Sequence, residues 1–513
     1  MIRSGDFPFS NFETEVFSKM ETIGSQARKA IQSHSEKVAV KFKDIQFTYD
    51  ELGKRAFSIA NALMAAGLTK GDRVGILMSN RHEHIELDLA AAFGGFVKVP
   101  LNYRLHPKEH EYMIEQSGLQ LLIGERELID SIVTDVNRIY IGEGYEQWLC
   151  AHSDTDPGIN VSEDDLFAIM YTSGTTGKPK GVMLSHRNML SSALSLSMVC
   201  EVTADDVVGH VAPLTHGSNF LSHVSWLHGL TQVVFDKFQP EDFLDDIEKE
   251  QVSVIFMVPT MVNLMIQHSS FEAHKLRSIK SINMAGSPIA ASKLQLALEK
   301  LGPKFIETYG QVEAPMTITM MPRYELGKRF ESCGRIGTFV DVKIIDEEGN
   351  DVETGGVGEV ICKGSLVMKG YWNNPEATNN TLKDGWLYTG DLGWLDEAGF
   401  LHLVDRKKDV IISGGVNIYP REVEEVLNMH PGVKETCVIG LPDEKWGEAV
   451  TAYVVPNEGQ QVNEVDLLTL CKNHLASFKK PQSINLVKSL PKSSYGKILK
   501  RELRELEQKG VNP

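Results

Sequence analysis

Leu166-Phe-Ala-Ile-Met170 runs directly into Tyr171-Thr-Ser-Gly-Thr-Thr-Gly-Lys-Pro-Lys-Gly181, an apolar stretch followed by a loop of hydroxyls, glycines and two lysines. The first five residues have the length and composition of a buried strand. In the loop, Gly174 and Gly177 free the backbone to turn its N–H groups towards an anion, and Thr172, Ser173, Thr175 and Thr176 offer hydroxyls to phosphate oxygens or a bound cation. Lys178 and Lys180 add positive charge. Apolar flanks around an unbroken polar run point to a rigid strand aiming a phosphate-seeking loop, not to an ordinary turn. The loop is also not a P-loop. G-x-x-x-x-G-K-[ST] needs a glycine where Thr172 stands and a hydroxyl residue where Pro179 stands.

Outwards from this point, strand-like and helix-like patterns alternate. Residues 72–78, 97–101 and 252–258 read as strands, 84–92 as a helix, and Pro240–Glu250 as a helix with proline and acids in its first turn. Such alternation predicts α/β layers on largely parallel sheets. Between 340 and 370 the texture changes to short strands and turns. The acidic tip at 346–351 has its glycine at the fourth place, not the sixth, so it reads as a hairpin turn and not a calcium loop. After 405 a smaller α+β unit is predicted: a helix over 420–428, strands at 436–439 and 450–455, a helix over 465–475 and a strand near 484–487. The charged run Asp405-Arg-Lys-Lys-Asp409 is the natural boundary, dividing the chain into 1–405 and 406–513.

With 513 residues the chain exceeds a single hydrophobic core. Its 42% hydrophobic and 24% charged content is that of a globular protein, and a formal charge of −17 argues against nucleic acid as a partner. The six cysteines form no C-x-x-C pair, so neither a zinc ribbon nor a disulfide framework is expected, and they read as reduced core thiols. The N-terminal segment lacks an apolar core and no later segment approaches a membrane span, so a cytoplasmic protein without a transmembrane segment is expected. His82-Glu-His84 lacks the H-E-x-x-H spacing of a zinc site, and no G-x-G-x-x-G follows a strand.

The order S-G-T-T-G-K-P-K-G closely resembles the signature of the adenylate-forming superfamily of acyl-CoA synthetases, luciferases and peptide-synthetase adenylation domains. Matching segments recur in family order from about residue 35 to Arg501. The resemblance implies a large N-terminal domain of layered α/β subdomains with a small β-barrel-like subdomain, and a small mobile α+β C-terminal domain hinged near 405–409. It also implies ATP, Mg²⁺ and coenzyme A as cofactors, with a small-molecule carboxylic acid as substrate. A homodimer is compatible with it.

Residue by residue, Pro491-Lys-Ser-Ser-Tyr-Gly-Lys497 matches the C-terminal P-K-x-x-x-G-K motif. Lys497 is thereby expected to bridge the carboxylate and α-phosphate as an electrostatic stabiliser. Tyr309-Gly-Gln-Val-Glu313, following the predicted strand 304–308, resembles the Y-G-x-T-E segment. Tyr309 would stack on adenine, Glu307, Thr308, Gly310 and Gln311 would line the nucleotide, and Glu313 with Thr172 would hold magnesium. Val312 departs from the usual hydroxyl residue, which puts at stake one hydrogen bond to the α-phosphate worth about 0.5–1.5 kcal/mol. Tyr388-Thr-Gly-Asp391 matches the motif whose aspartate accepts from both ribose hydroxyls.

Arg406 matches a ribose and phosphate contact, and Lys408 falls at the hinge, where aspartate or lysine is usual. Ser413, Gly414 and Gly415 resemble the loop lining the pantetheine tunnel, and Ala285, Gly286 and Ser287 the adenine-side loop. His216 corresponds to the aromatic or histidine position at the acyl pocket, with Phe220 and Met316 as further apolar lining. No aspartate lies between Val211 and Phe220 to pair with a substrate amine, so an apolar acid, fatty or otherwise, is expected and not an amino acid. The reading is an AMP-forming acid–thiol ligase, with a carrier-protein ligase and a non-catalytic nucleotide-binding homologue as its rivals.

Overall fold

The computed structural model describes residues 21–172, 178–287, 289–492 and 498–508. Six parallel strands form the middle of the largest sheet, in spatial order Val38–Phe42, Thr231–Val234, Val207–His210, Val254–Met257, Ser281–Met284 and Phe305–Gln311. A second sheet has five parallel strands, ordered Leu166–Thr172, Val97–Asn102, Arg73–Met78, Leu121–Glu125 and Asn137–Ile141. Lys180–Ser185 and Gly370–Tyr371 close its edge antiparallel. Parallel strands need crossovers, and the helices that supply them cover both faces, as the alternating pattern predicts.

The helix His82–Gly94 is buried along its whole length. It carries Asp88 into the interior, where the carboxylate meets the Lys98 ammonium at 2.7 Å and accepts from the Asn219 amide at 2.7 Å. Lys98 also donates to Asn219 Oδ1 at 2.8 Å. A charge buried this deeply is tolerated only when paired and hydrogen-bonded. The pair therefore fixes the helix Gly217–His228, which bears Asn219, against both its neighbours.

His186 and His210 are also fully buried. Burial pushes the first down to about 3 and the second to about 4. Both imidazoles are neutral in the folded and unfolded chains above about pH 6.5. Below it, the unfolded chain takes up protons that the folded one refuses until the folded values are reached, so stability falls as pH drops. The two together are expected to cost about 2 kcal/mol between pH 6.5 and 5.5. Calorimetric melting across that interval should show Tm falling with pH. A flat Tm contradicts this.

Beyond Gln311 the large sheet continues antiparallel through Ala314–Met321, Gly334–Ile336, Phe400–Arg406, Trp386–Leu395, Gly358–Gly364 and Val340–Ile345. The acidic tip is a turn, closed by the Asn350 N–H on Asp346 Oδ1 at 2.8 Å. Its flanks barely pair with each other, through a single Ile345–Asp351 bridge, because Val340–Ile345 takes Gly358–Gly364 as its ladder partner.

The C-terminal unit has its own sheet and its own core, in which Ile411, Val423, Val438, Ala452 and Leu467 pack together. Its two central strands are longer than expected, Val433–Asp443 and Gly447–Pro456 forming one continuous hairpin. Among the described residues no helix is long and apolar enough to cross a membrane. Five cysteines are buried thiols as expected, but Cys150 is exposed, at the end of the short helix Tyr145–Cys150.

Candidate active site

The strand Leu166–Thr172 runs antiparallel to Lys180–Ser185, with Thr172 opposite Lys180, so the phosphate-seeking loop connects two paired strands. Ser173, Gly174, Thr175, Thr176 and Gly177 lie outside the described residues, as does Lys497. At the loop's base the Lys180 ammonium sits 4.6 Å from the Tyr371 ring centre, and the Tyr371 hydroxyl donates to Glu313 Oε1 at 2.7 Å. Glu313 occupies the turn between Phe305–Gln311 and Ala314–Met321, and its carbonyl accepts from the Met368 N–H at 2.8 Å. Thr172 and Glu313, far apart in sequence, are thus linked through Lys180 and Tyr371. Lys178 lies 5.5 Å from the Tyr112 ring centre.

Tyr371 was missed in the sequence, where Gly370-Tyr-Trp372 carries no recognisable motif. Hydroxyl and carboxylate oxygens suit a hard cation such as magnesium. Among the described residues no group of three or more His, Cys, Asp or Glu could hold a metal unaided. An ion here would draw its remaining ligands from nucleotide and water.

Asp391 is the centre of the second cluster. It lies directly opposite Arg406 in the pairing of Trp386–Leu395 with Phe400–Arg406, and Arg406 Nε meets its Oδ1 at 2.6 Å. The other oxygen accepts from the Tyr309 hydroxyl at 2.6 Å and from Gln311 Nε2 at 3.0 Å. Gln311 also donates to the Thr389 carbonyl at 2.9 Å. Burial, reinforced by the Asp391 charge, raises the Tyr309 phenol well above its ordinary value, so it remains a donor. A carboxylate offers about four lone-pair positions. Three are taken here, so accepting two ribose hydroxyls requires one of these partners to let go.

The sequence placed Tyr309 after a strand ending at Thr308, whereas the strand continues to Gln311, with Tyr309 opposite Thr319. Apolar composition stops at Ile306, but the backbone ladder does not. A Cβ on Gly310 would stand 2.5 Å from the Met316 backbone N, which only glycine avoids. Thr308 turns inward, donating to Asn283 Oδ1 at 3.1 Å. Glu307 is half-buried, and desolvation pushes its carboxyl up to about 7 against the opposing Arg421 charge. Ala285 is buried, while Gly286 and Ser287 are exposed beyond the end of Ser281–Met284.

His216 stands at the N-terminal boundary of Gly217–His228, where a Cβ on Gly217 would meet the Phe256 ring at 2.6 Å. Burial holds the His216 imidazole down to about 4, so it is neutral at pH 7. Phe220, Ala285 and Met316 share the main hydrophobic core, against which Tyr309 and Val312 pack. In the C-terminal unit, Ser413, Gly414 and Gly415 turn between Ile411–Ser413 and Val416–Ile418, with Gly414 at φ +60° and Gly415 at φ +78°. The Gly414 N–H donates to the Trp446 carbonyl at 2.7 Å. Among the described residues no hydrogen bond or ion pair joins this turn to Asp391 or Glu313. Desolvation is the largest influence on Lys408 and lowers its ammonium below the ordinary lysine range.

The profile of the AMP-binding enzyme family matches residues 27–372, and that of the AMP-binding enzyme C-terminal domain matches 422–497. The chain belongs to this family, the adenylate-forming superfamily. A feruloyl-CoA synthase of Amycolatopsis sp is 36% identical over 488 residues, covering 94% of this chain and 98% of that protein. A fatty acid–[acyl-carrier-protein] ligase, ScoC of Streptomyces coeruleorubidus, is 36% identical over 472 residues, covering 89% and 91%. Crystalline ATP-bound MatB from Rhodopseudomonas palustris superposes with a TM-score of 0.89 at 31% identity, covering 96% of this chain and all of that one. The apo crystal structure of MatB gives 0.79 over the same share of this chain.

Proposed function

We propose that the chain is an AMP-forming acid–CoA ligase acting on an apolar carboxylic acid, with domains 1–405 and 406–513 turning about a hinge at 405–409. A substrate carboxylate oxygen attacks the α-phosphorus of ATP, the bond to pyrophosphate breaks, and an acyl-adenylate forms. A thiol then attacks the acyl carbon, forming the thioester as AMP departs with the oxygen that the acid contributed and the thiol proton passes to solvent. Both steps concentrate negative charge, and fixed cations and N–H donors are the expected catalysts.

The observation that carries this reading is the Asp391 cluster. An acceptor-only carboxylate, held by Arg406 and capped by Tyr309 and Gln311, is the chemistry of a ribose site that opens when nucleotide arrives. Glu313 and Thr172 would hold magnesium on the phosphates, where the ion would offset phosphate charge. Lys178 and Lys180 supply cations beside them. His216, being neutral, would present an uncharged edge to the acid, in keeping with its apolar neighbours Phe220 and Met316. The greater likeness to ATP-bound than to apo MatB supports a domain arrangement ready for the first step.

Incubation with ATP, magnesium and a panel of apolar acids, with and without coenzyme A, tests this. Acid-dependent pyrophosphate release and CoA-dependent AMP release are expected. Pyrophosphate without CoA-dependent turnover would favour a carrier-protein acceptor, the activity named for ScoC. No pyrophosphate with any acid would favour a non-catalytic homologue.

The hinge carries its own prediction. Lys408→Pro removes a freely rotating φ from the short turn Lys407–Asp409. Adenylate formation should be spared and thioester formation slowed, as expected when a domain motion separates two steps. Equal loss of both half-reactions in rapid-quench measurements contradicts this.

A further inference from the structure

The large domain reaches the small one through a lysine that no motif marks. Lys293, in the helix Ala291–Leu301, donates its ammonium to the backbone carbonyl of Lys434 at 2.6 Å. The adjacent Glu435 holds the Lys492 ammonium at 2.6 Å. Lys492 is the lysine that opens the C-terminal motif, and it bridges back to Ile498. The two described ends of the 493–497 segment are therefore tied to each other and, through Glu435 and Lys434, to the large domain.

We propose that Lys293 is a positioning residue for adenylation, the large-domain half of a latch that holds the C-terminal domain in the orientation of the first half-reaction. The inference rests on the reaction proposed above. It assigns a role to a contact that must break when the small domain turns, complementary to the hinge, which only permits the turn. Lys293 bonds a backbone carbonyl and Lys492 the neighbouring carboxylate, so loss of Lys293 leaves the Glu435–Lys492 pair intact while freeing the domain from Ala291–Leu301.

Lys293→Met is expected to lower acid-dependent ATP–pyrophosphate exchange about tenfold through kcat, with KM for ATP little changed. Thioester formation from supplied acyl-adenylate and CoA should be unchanged or faster. Lys293→Arg, which keeps a charged donor, should restore exchange. Equal loss in both half-reactions, or no loss of exchange, overturns the latch.

A second readout needs no turnover. Energy transfer between a dye on exposed Cys150 and one on an introduced Lys472→Cys reports domain orientation directly. Lys293→Met should shift its distribution away from that of the otherwise identical protein with Lys293, and identical distributions overturn the latch. Absence of exchange in the unaltered enzyme with every acid would instead count against the proposed reaction, leaving the energy-transfer result to judge the latch.

Discussion

Lys497→Ala is expected to lose about 100-fold or more in acyl-adenylate formation, the scale of removing one charge-stabilising group from a preorganised site. As the carboxylate approaches the α-phosphorus, the acid, the α-phosphate oxygens and the departing pyrophosphate crowd negative charge into one place. Lys178 and Lys180 belong to the phosphate loop of the large domain and cannot follow the acid oxygen. A cation from the small domain could, and by the resemblance of its motif it would stand at position 497. If the small domain turns before the thiol step, as proposed, thioester formation from supplied acyl-adenylate should fall far less. Pre-steady-state measurement of pyrophosphate release checks the first step, and near-normal release refutes the assignment.

Asp391→Ala should raise KM for ATP about tenfold. Ribose brings two hydrogen bonds to a charged acceptor but displaces one already made there, a net gain of about 1.5 kcal/mol at the low end. The substitution also strips Tyr309, Gln311 and Arg406 of their common partner, and the buried phenol is left without an acceptor. Asp391→Asn keeps an acceptor oxygen but no charge and should fall between the two. Melting temperatures separate a binding defect from loss of fold. An unaltered KM in a folded Asp391→Ala protein contradicts the ribose assignment.

Much of this was legible in the sequence because strongly patterned segments have few alternatives. Pro240–Glu250 coincides with its predicted helix, since proline and acids start it and the apolar Phe243, Leu244 and Ile247 fix its buried face. Phe305–Gln311 was cut short because Glu307, Tyr309 and Gln311 are polar, and composition cannot register a ladder completed by Ala314–Met321. The hairpin of the small domain was seen only at its apolar centre for the same reason. In the site, residues inside motifs were identifiable and those defined by contact were not. Tyr371 links Lys180 to Glu313, and Lys293 links two domains, yet each is an isolated residue whose partners lie far along the chain.

The Asp391 cluster adds something no motif contains. The motif names an aspartate for ribose, but the structure shows the same aspartate already engaged by the tyrosine expected at adenine. Nucleotide binding on this view exchanges one set of hydrogen bonds for another. Selectivity for the 2′-hydroxyl would follow, because 2′-deoxy-ATP could displace Tyr309 or Gln311 without fully replacing their bonds.

The central claim is that the acid's own oxygen attacks the α-phosphorus. It is tested most directly by supplying a turned-over acid labelled with ¹⁸O in its carboxylate, with ATP and CoA, and weighing the products. The account predicts one ¹⁸O in the phosphate of AMP and none in pyrophosphate. Label in orthophosphate with ADP as co-product, or AMP without label, would contradict it.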